Sequence, residues 1–267
     1  MADFNKYYDA PFIHFKMTDD LYFIGSDPAS VHILDTGEGL IVFDTGFTET
    51  LGLVIDGMHR LGLDPEDIIA IFLTHGHIDH AGGAKCLRKM SGAPIYINAK
   101  DRAAVVGEND LIFDTELGLK FQEYFEPDVL ISDGDVFTFK DKTVKCVETA
   151  GHTAGATSFF FNVKIGGREY AAGLHGGMGI NTLSREYLEK HGLPLSLRDG
   201  FAESMKRLNC EKVDVFLGNH MAHNDTRGRY ERLKGGDAYA FVDTKAWYEA
   251  NEFYIRNFED NIIAKNI

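Results

Sequence analysis

Short apolar runs separated by turn-rich segments recur along the chain and alternate with stretches of helical periodicity. Leu21-Tyr22-Phe23-Ile24, Val31-His32-Ile33-Leu34 and Leu40-Ile41-Val42-Phe43 predict three strands, the last two joined by Asp35-Thr36-Gly37-Glu38-Gly39. Leu51, Val54, Ile55, Met58 and Leu61 recur as one face of a helix over 48–60. Ile68-Ile69-Ala70-Ile71-Phe72-Leu73 predicts a buried strand, bounded before by Pro65 and after by clustered histidines. A helix over 81–90 and a short strand at Pro94-Ile95-Tyr96-Ile97 follow. Val136-Phe137-Thr138-Phe139 and 144–149 predict a hairpin, and 157–163 and 169–174 two more strands. Phe201, Met205 and Leu208 mark a helix, 213–217 a last inner strand, and Trp247, Tyr254 and Phe258 a C-terminal helix packed on the core. The segment 108–130 mixes Leu111, Ile112, Phe113, Phe121, Tyr124 and Phe125 with acidic residues and shows no period. Strands alternating with helices give an α/β chain.

Composition narrows the class. With 267 residues, 44% hydrophobic and 25% charged, the chain can bury one large core, and it reads as a single domain over 1–267. A formal net charge of −14 disfavours a phosphate-backbone partner, so no nucleic acid is expected. Charges run through the first twenty residues, and no apolar stretch has the length of a signal peptide core or a membrane span. Cys86, Cys146 and Cys210 are odd in number, widely spaced, and fit neither a disulfide nor a metal framework. These features predict a cytoplasmic protein, apart from membranes, acting on a small molecule. They leave its oligomeric state open.

The chemistry sits in Thr74-His75-Gly76-His77-Ile78-Asp79-His80-Ala81-Gly82-Gly83, directly after the apolar run 68–73. A strand ending in clustered His and Asp delivers metal ligands to the carboxyl edge of a sheet, where open α/β sheets bind ligands. Neutral imidazole and carboxylate are the usual nitrogen and oxygen donors to zinc. Four residues so close in sequence cannot all converge on one tetrahedral ion, so the pattern predicts two metals sharing one mouth.

Those ten residues resemble the signature of the metallo-β-lactamase superfamily. The resemblance implies a four-layer αββα sandwich with a one- or two-metal site at one edge. Asp44-Thr45-Gly46 is similar to the family's Asp-Thr-Gly element, whose aspartate orients a metal-bound histidine. Gly151-His152-Thr153-Ala154-Gly155 resembles its Gly-His-Thr-x-Gly element, which would make His152 a ligand. His220, just past the strand 213–217, stands where the family supplies the second metal's histidine, with His223 as a competitor. Most members carry a bridging aspartate after the strand that here ends in Gly173-Leu174-His175; this chain has no Asp or Glu between Glu169 and Glu186. That departure matches the third subclass of metallo-β-lactamases. His175 itself reads as a structural residue or a contact to metal or substrate, and His32, inside a strand, as a hydrogen-bonded structural histidine. In the resembled family the region of 108–130 lies near the rim of the site.

The expectation is therefore a zinc-dependent hydrolase with a binuclear site. His75, His77 and His152 hold one Zn2+; Asp79, His80 and His220 hold the other. Hydroxide formed from bound water attacks a carbonyl, with Asp79 orienting it and carrying its proton. The first reading of the substrate is a β-lactam-type cyclic amide. The alternative is a lactone, ester or thioester, and an iron-dependent oxidoreductase on the same scaffold is a further one.

Overall fold

The structure, a computed structural model, describes residues 10–267. The sequence reading of residues 1–9 lies outside the described residues.

Two sheets form the centre. The first runs β1 (Ile13–Lys16), β2 (Leu21–Ser26), β3 (Ala29–Asp35), β4 (Leu40–Phe43), β5 (Ile68–Phe72), β6 (Ile95–Asn98) and β7 (Val129–Ile131) in spatial as well as chain order. Its first four strands pair antiparallel and its last four parallel. The second sheet is ordered β12 (Val215–Leu217), β11 (Arg168–Leu174), β10 (Thr157–Ile165), β9 (Lys142–Glu148) and β8 (Val136–Phe139). All its pairings are antiparallel except β11 with β12.

Near-continuous apolar strands are buried on both faces. Phe43 and Phe72 of the first sheet meet Phe159 and Phe161 of the second, with Phe43 and Phe161 stacked at 4.6 Å. On the outer face of the first sheet pack α1 (Leu51–Arg60), through Val54 and Met58, and α2 (Ala84–Ser91), through Leu87. The outer face of the second is covered by α5 (Ser196–Leu208), which follows α3 (Arg102–Val106) and α4 (Arg185–Lys190), and by α7 (Ala246–Phe258), which follows α6 (Thr226–Lys234). Trp247 of α7 is fully buried against Phe160 and Phe216. Helices, sheet, sheet and helices make the four-layer αββα sandwich expected from the sequence.

Several boundaries differ for physical reasons. The helix expected over 81–90 is two pieces, one turn at Ile78–Ala81 and then α2, because Gly82 and Gly83 run tightly against the loop after β4. A Cβ on Gly82 would lie 2.4 Å from the Thr48 nitrogen. The hairpin turn is shorter than its polar residues suggested, since Lys142 and Thr143 extend β9. In that position Lys142 is buried against Asp20, 2.5 Å away. Within 108–130 only Asp114–Leu117 is helical, while Ile112, Phe121 and Phe125 bury themselves in the core. β1, β7 and α6 carry no strong period and went unpredicted. His32 is fully buried but neither ring nitrogen has a hydrogen-bond partner among the described residues, contrary to the expectation of a bonded histidine. It packs edge-on to Phe23, and burial pushes it down to about 3, so it stays neutral.

Topology decides what meets at one edge. β4 and β5 are parallel, so the segments after both emerge together. β9 and β11 each run antiparallel to β10, hence in the same direction, and β12 is parallel to β11. Five strand ends, each followed by His or Asp, therefore open onto one mouth.

Candidate metal centre

At that mouth the loop after β5 brings three imidazoles inward. The ligand atoms of His75, His77 and His152 all lie within 4.8 Å of one another, and those of His75, Asp79 and His80 do the same. His220 approaches the second group from the end of β12. Its Nε2 is 3.5 Å from Asp79 Oδ2, which is 3.1 Å from His80 Nε2. All six predicted residues thus share one site. His80 and His220 meet edge to face with ring centroids 5.2 Å apart.

The rings are held from behind. His152 Nδ1 is 2.9 Å from the Gly179 carbonyl, which can only accept, so Nδ1 carries the proton and Nε2 keeps its lone pair. Asp44 Oδ2 lies 2.7 Å from His80 Nδ1 and accepts from Thr74 Oγ1 at 2.8 Å; Asp44 Oδ1 accepts from the Thr74 nitrogen at 2.7 Å. Asp44 is buried and adopts a left-handed backbone, φ +57°, which aims its carboxylate at that strand end. Thr74 in turn faces His75 Nδ1 at 3.0 Å.

Electrostatics favour lone pairs over protons at His75, His77 and His152. Burial and neighbouring imidazoles hold His75 and His77 well below the usual histidine range, and burial brings His152 down to about 4. Burial alone would raise Asp79, but His80 and His220 outweigh it and keep the carboxylate ionised. For His80 the burial effect is also outweighed: Asp79 and Asp44 raise its affinity for a proton, or for any other cation.

A divalent cation fits these residues. His75 Nε2 is buried with no hydrogen-bond partner among the described residues, a costly arrangement for a nitrogen in a protein interior unless something else satisfies it. Neutral imidazoles with one carboxylate are a zinc-type donor set.

The mouth is a cavity of about 210 Å³ lined by His77, Asp79, His152 and His220 together with Phe113 and Leu117. Phe113 stacks on His77 at 4.7 Å between centroids, and its own φ is +66°. An aromatic residue in the left-handed region is strained, so the surrounding loop holds it there. His223 lines the cavity but joins neither ligand group. His175 is fully buried behind it: its Nδ1 accepts from the Gly177 nitrogen at 3.0 Å and its ring lies against Trp247 at 5.6 Å, outside both groups.

Sequence reading missed Asp101. This buried carboxylate accepts from Gly76 and Gly155 nitrogens and Thr153 Oγ1, at 3.0, 2.7 and 2.7 Å. Burial pushes it above the usual carboxyl range against those three donors. The available signal was its place just past β6, the parallel neighbour of the strand bearing the histidine cluster.

Comparison with known proteins places the chain by sequence and by fold. A sequence model of the metallo-beta-lactamase superfamily matches residues 24–164, more than half of the chain. BJP-1, a subclass B3 metallo-β-lactamase of Bradyrhizobium japonicum, superposes with a TM-score of 0.87 at 24% identity over 98% of both chains. FEZ-1, a metallo-β-lactamase from Legionella gormanii, gives 0.87 at 22% identity over 96% of this chain and 98% of its own. Among curated sequences, a hydroxyacylglutathione hydrolase of Rhizobium etli is 31% identical over 130 residues, 46% of this chain and 42% of that protein. The probable metallo-hydrolase YflN of Bacillus subtilis is 28% identical over 205 residues, 67% of this chain and 74% of its own. The chain spans less than half the length of several curated relatives it matches, from 41% to 46%. By the extent of the family match, its motifs and its fold, the chain belongs to the metallo-β-lactamase superfamily.

Proposed function

We propose that the protein is a zinc-dependent hydrolase with two metal ions per chain, opening a β-lactam-type cyclic amide. The observation that carries this reading is the meeting of three buried, proton-poor imidazoles, His75, His77 and His152, with the His75 Nε2 left without a hydrogen-bond partner among the described residues, beside the ionised Asp79 carboxylate. His75, His77 and His152 would hold one ion, and Asp79, His80 and His220 the other. When bound, zinc supplies Lewis acidity toward a carbonyl oxygen and lowers the pKa of water from ~15.7 towards ~7.

The chain's own residues do the rest. Asp44 fixes the His80 ring and the Gly179 carbonyl fixes the His152 tautomer, so neither has to reorganise during reaction. Asp79, ionised and open to the cavity, orients the attacking water by accepting its hydrogen bond. Phe113 and Leu117 form an apolar wall that keeps bulk water from the scissile bond. Likeness in fold to subclass B3 enzymes supports the cyclic amide as substrate.

A second reading, hydrolysis of a lactone, ester or thioester, draws on the hydroxyacylglutathione hydrolase segment at 31% identity. A cytoplasmic setting suits it, and that setting is supported by three cysteines that are all free. No helix among the described residues is long and apolar enough to cross a membrane.

Metal content and a substrate panel, measured on one preparation, test these readings. Two zinc ions per chain, with turnover of a chromogenic cephalosporin lost on chelation and in His75→Ala, is the expected result. Zinc without any β-lactam turnover, but with lactone or thioester hydrolysis, selects the second reading. Iron as the native metal would replace both with the oxidoreductase.

A further inference from the structure

We propose that Asp101 is a positioning residue for the first metal: its carboxylate clasps the two loops bearing His75, His77 and His152 and sets their spacing. The inference rests on the metal-binding reading above.

The two loops have different origins. His75 and His77 follow β5 of the first sheet, while His152 lies between β9 and β10 of the second. The sheets themselves are held together by side-chain packing, which fixes a face but not the separation of two loops at an edge. Asp101 bridges them. Its Oδ2 accepts from the nitrogen of Gly76, the residue between His75 and His77, and from Thr153 Oγ1, next to His152. Its Oδ1 accepts from the Gly155 nitrogen, three residues past His152. Among the described residues one other bond ties the same segments, Thr157 nitrogen to the Thr74 carbonyl at 2.8 Å.

Both backbone donors come from glycine, and the geometry says why. A Cβ on Gly155 would stand 2.7 Å from Asp101 Oδ1, and one on Gly76 would press on Ala104 Cβ at 3.2 Å. Larger residues would push the carboxylate out or the loops apart.

A carboxylate is an expensive choice for this task. Asp101 is 5% exposed and makes no ion pair among the described residues; its neighbour Lys100 is turned to Glu148 instead. Desolvating a charge without a counterion is unfavourable, and three neutral donors offset only part of that cost. The charge gains its compensation once a dication sits among three neutral imidazoles, which bring no negative charge of their own. Burial, three directed bonds and two glycines that make room for them all point the same way.

The test is zinc affinity, read by competition with a chromophoric chelator on full-length protein. A His220→Ala background weakens the second site, so that the titration reports the first. Asp101→Asn is expected to weaken zinc binding by about 10–100-fold. Thr153→Val keeps the charge and removes one arm, with an expected loss of about fivefold. Thermal unfolding of the zinc-free proteins runs alongside. A merely structural Asp101 would lower the unfolding midpoint and leave affinity alone, and that result overturns the proposal. Should Asp101→Asn fail to fold, Thr153→Val decides by itself: parental affinity there overturns the clasp. A parent chain that binds no zinc removes the metal reading, and the clasp with it, whereas parental affinity in Asp101→Asn sinks the clasp and spares the metal site.

Discussion

Replacing Asp44 by Asn probes how the centre is held without touching any proposed ligand. The backbone at this position is left-handed, φ +57°, a conformation Asn shares with Asp, so the exchange adds no main-chain strain, as Ala would. What changes is the pattern of donors and acceptors. Asp44 takes three bonds: Thr74 nitrogen on Oδ1, and Thr74 Oγ1 with His80 Nδ1 on Oδ2, all at 2.7–2.8 Å. Asn has one acceptor oxygen. If that oxygen keeps Thr74, the amide nitrogen meets His80 Nδ1–H donor to donor, and the ring is driven to the tautomer that puts its proton on Nε2. If it keeps His80, a buried backbone N–H on Thr74 loses its partner, at a cost of about 1–3 kcal/mol. In the first case zinc must displace a proton from Nε2; the expected loss in affinity at the His80 site is about 10–100-fold, or about 1.4–2.7 kcal/mol. Isothermal titration of zinc into apo protein, with thermal unfolding of the same samples, distinguishes the two. One quantity or the other must fall. An Asp44→Asn protein with parental affinity at both sites and an unchanged apo midpoint would refute the argument that this carboxylate organises the centre.

Three further outcomes are expected. The side chain of His191, in the loop after α4, is buried, 3.0 Å from Asp110 and 3.2 Å from Glu116, and Glu116 also pairs with Lys190 at 2.7 Å, so these contacts pin the segment carrying Phe113 over the cavity. His191→Ala should speed proteolytic cleavage within 108–118 by roughly tenfold and raise KM more than it lowers kcat; parental cleavage rates would count against the pin. Burial pushes the Cys146 thiol up to about 12, so alkylation at pH 8 should modify the exposed Cys86 and Cys210 and spare Cys146, as peptide mass mapping will report. The sign follows: the folded state holds this proton more tightly than the unfolded chain does, so Cys146 leaves stability intact below the ordinary thiol pKa and erodes it as pH climbs towards 12. Gly82→Ala would place a methyl 2.4 Å from the Thr48 nitrogen and 2.7 Å from the Gly46 carbonyl, and should cost about 1–3 kcal/mol by denaturant unfolding; an unchanged midpoint would show that the loop yields.

The parts of the molecule legible in the sequence were those where one local rule decides. Buried strands such as β5 and β10 read as apolar runs because both faces are covered, and α1 read from its period because one face is. β1 and β7 were illegible: each is a short edge strand, four and three residues long, whose pairing depends on a neighbour rather than on its own pattern. α6 has charges all round and only Thr226 fully buried among its residues, so no apolar stripe announced it. Lys142 misled in the opposite direction, since a lysine reads as a turn residue until an aspartate 122 positions away gives it a reason to be buried.

The same distinction separates the six clustered residues from those that hold them. His75, His77, Asp79 and His80 announce themselves because their spacing is local, and His152 and His220 because each sits past a strand in a position that resembles a ligand position of the family. Asp101 follows a strand too, yet a lone acidic residue among forty-one acidic ones carries no signal until its three donors are known to arrive from two sheets. Ligand-type residues can be read from sequence because metal chemistry restricts their kind. The groups that fix their positions are restricted only by geometry, which any carboxylate, hydroxyl or carbonyl at the right distance satisfies: Asp44 was readable only through its Asp-Thr-Gly motif, while Thr74, the Gly179 carbonyl and Asp101 carry no such mark. Exchanges among the holding groups should therefore tune affinity and selectivity step by step, while exchanges among the six should abolish binding at one site or the other.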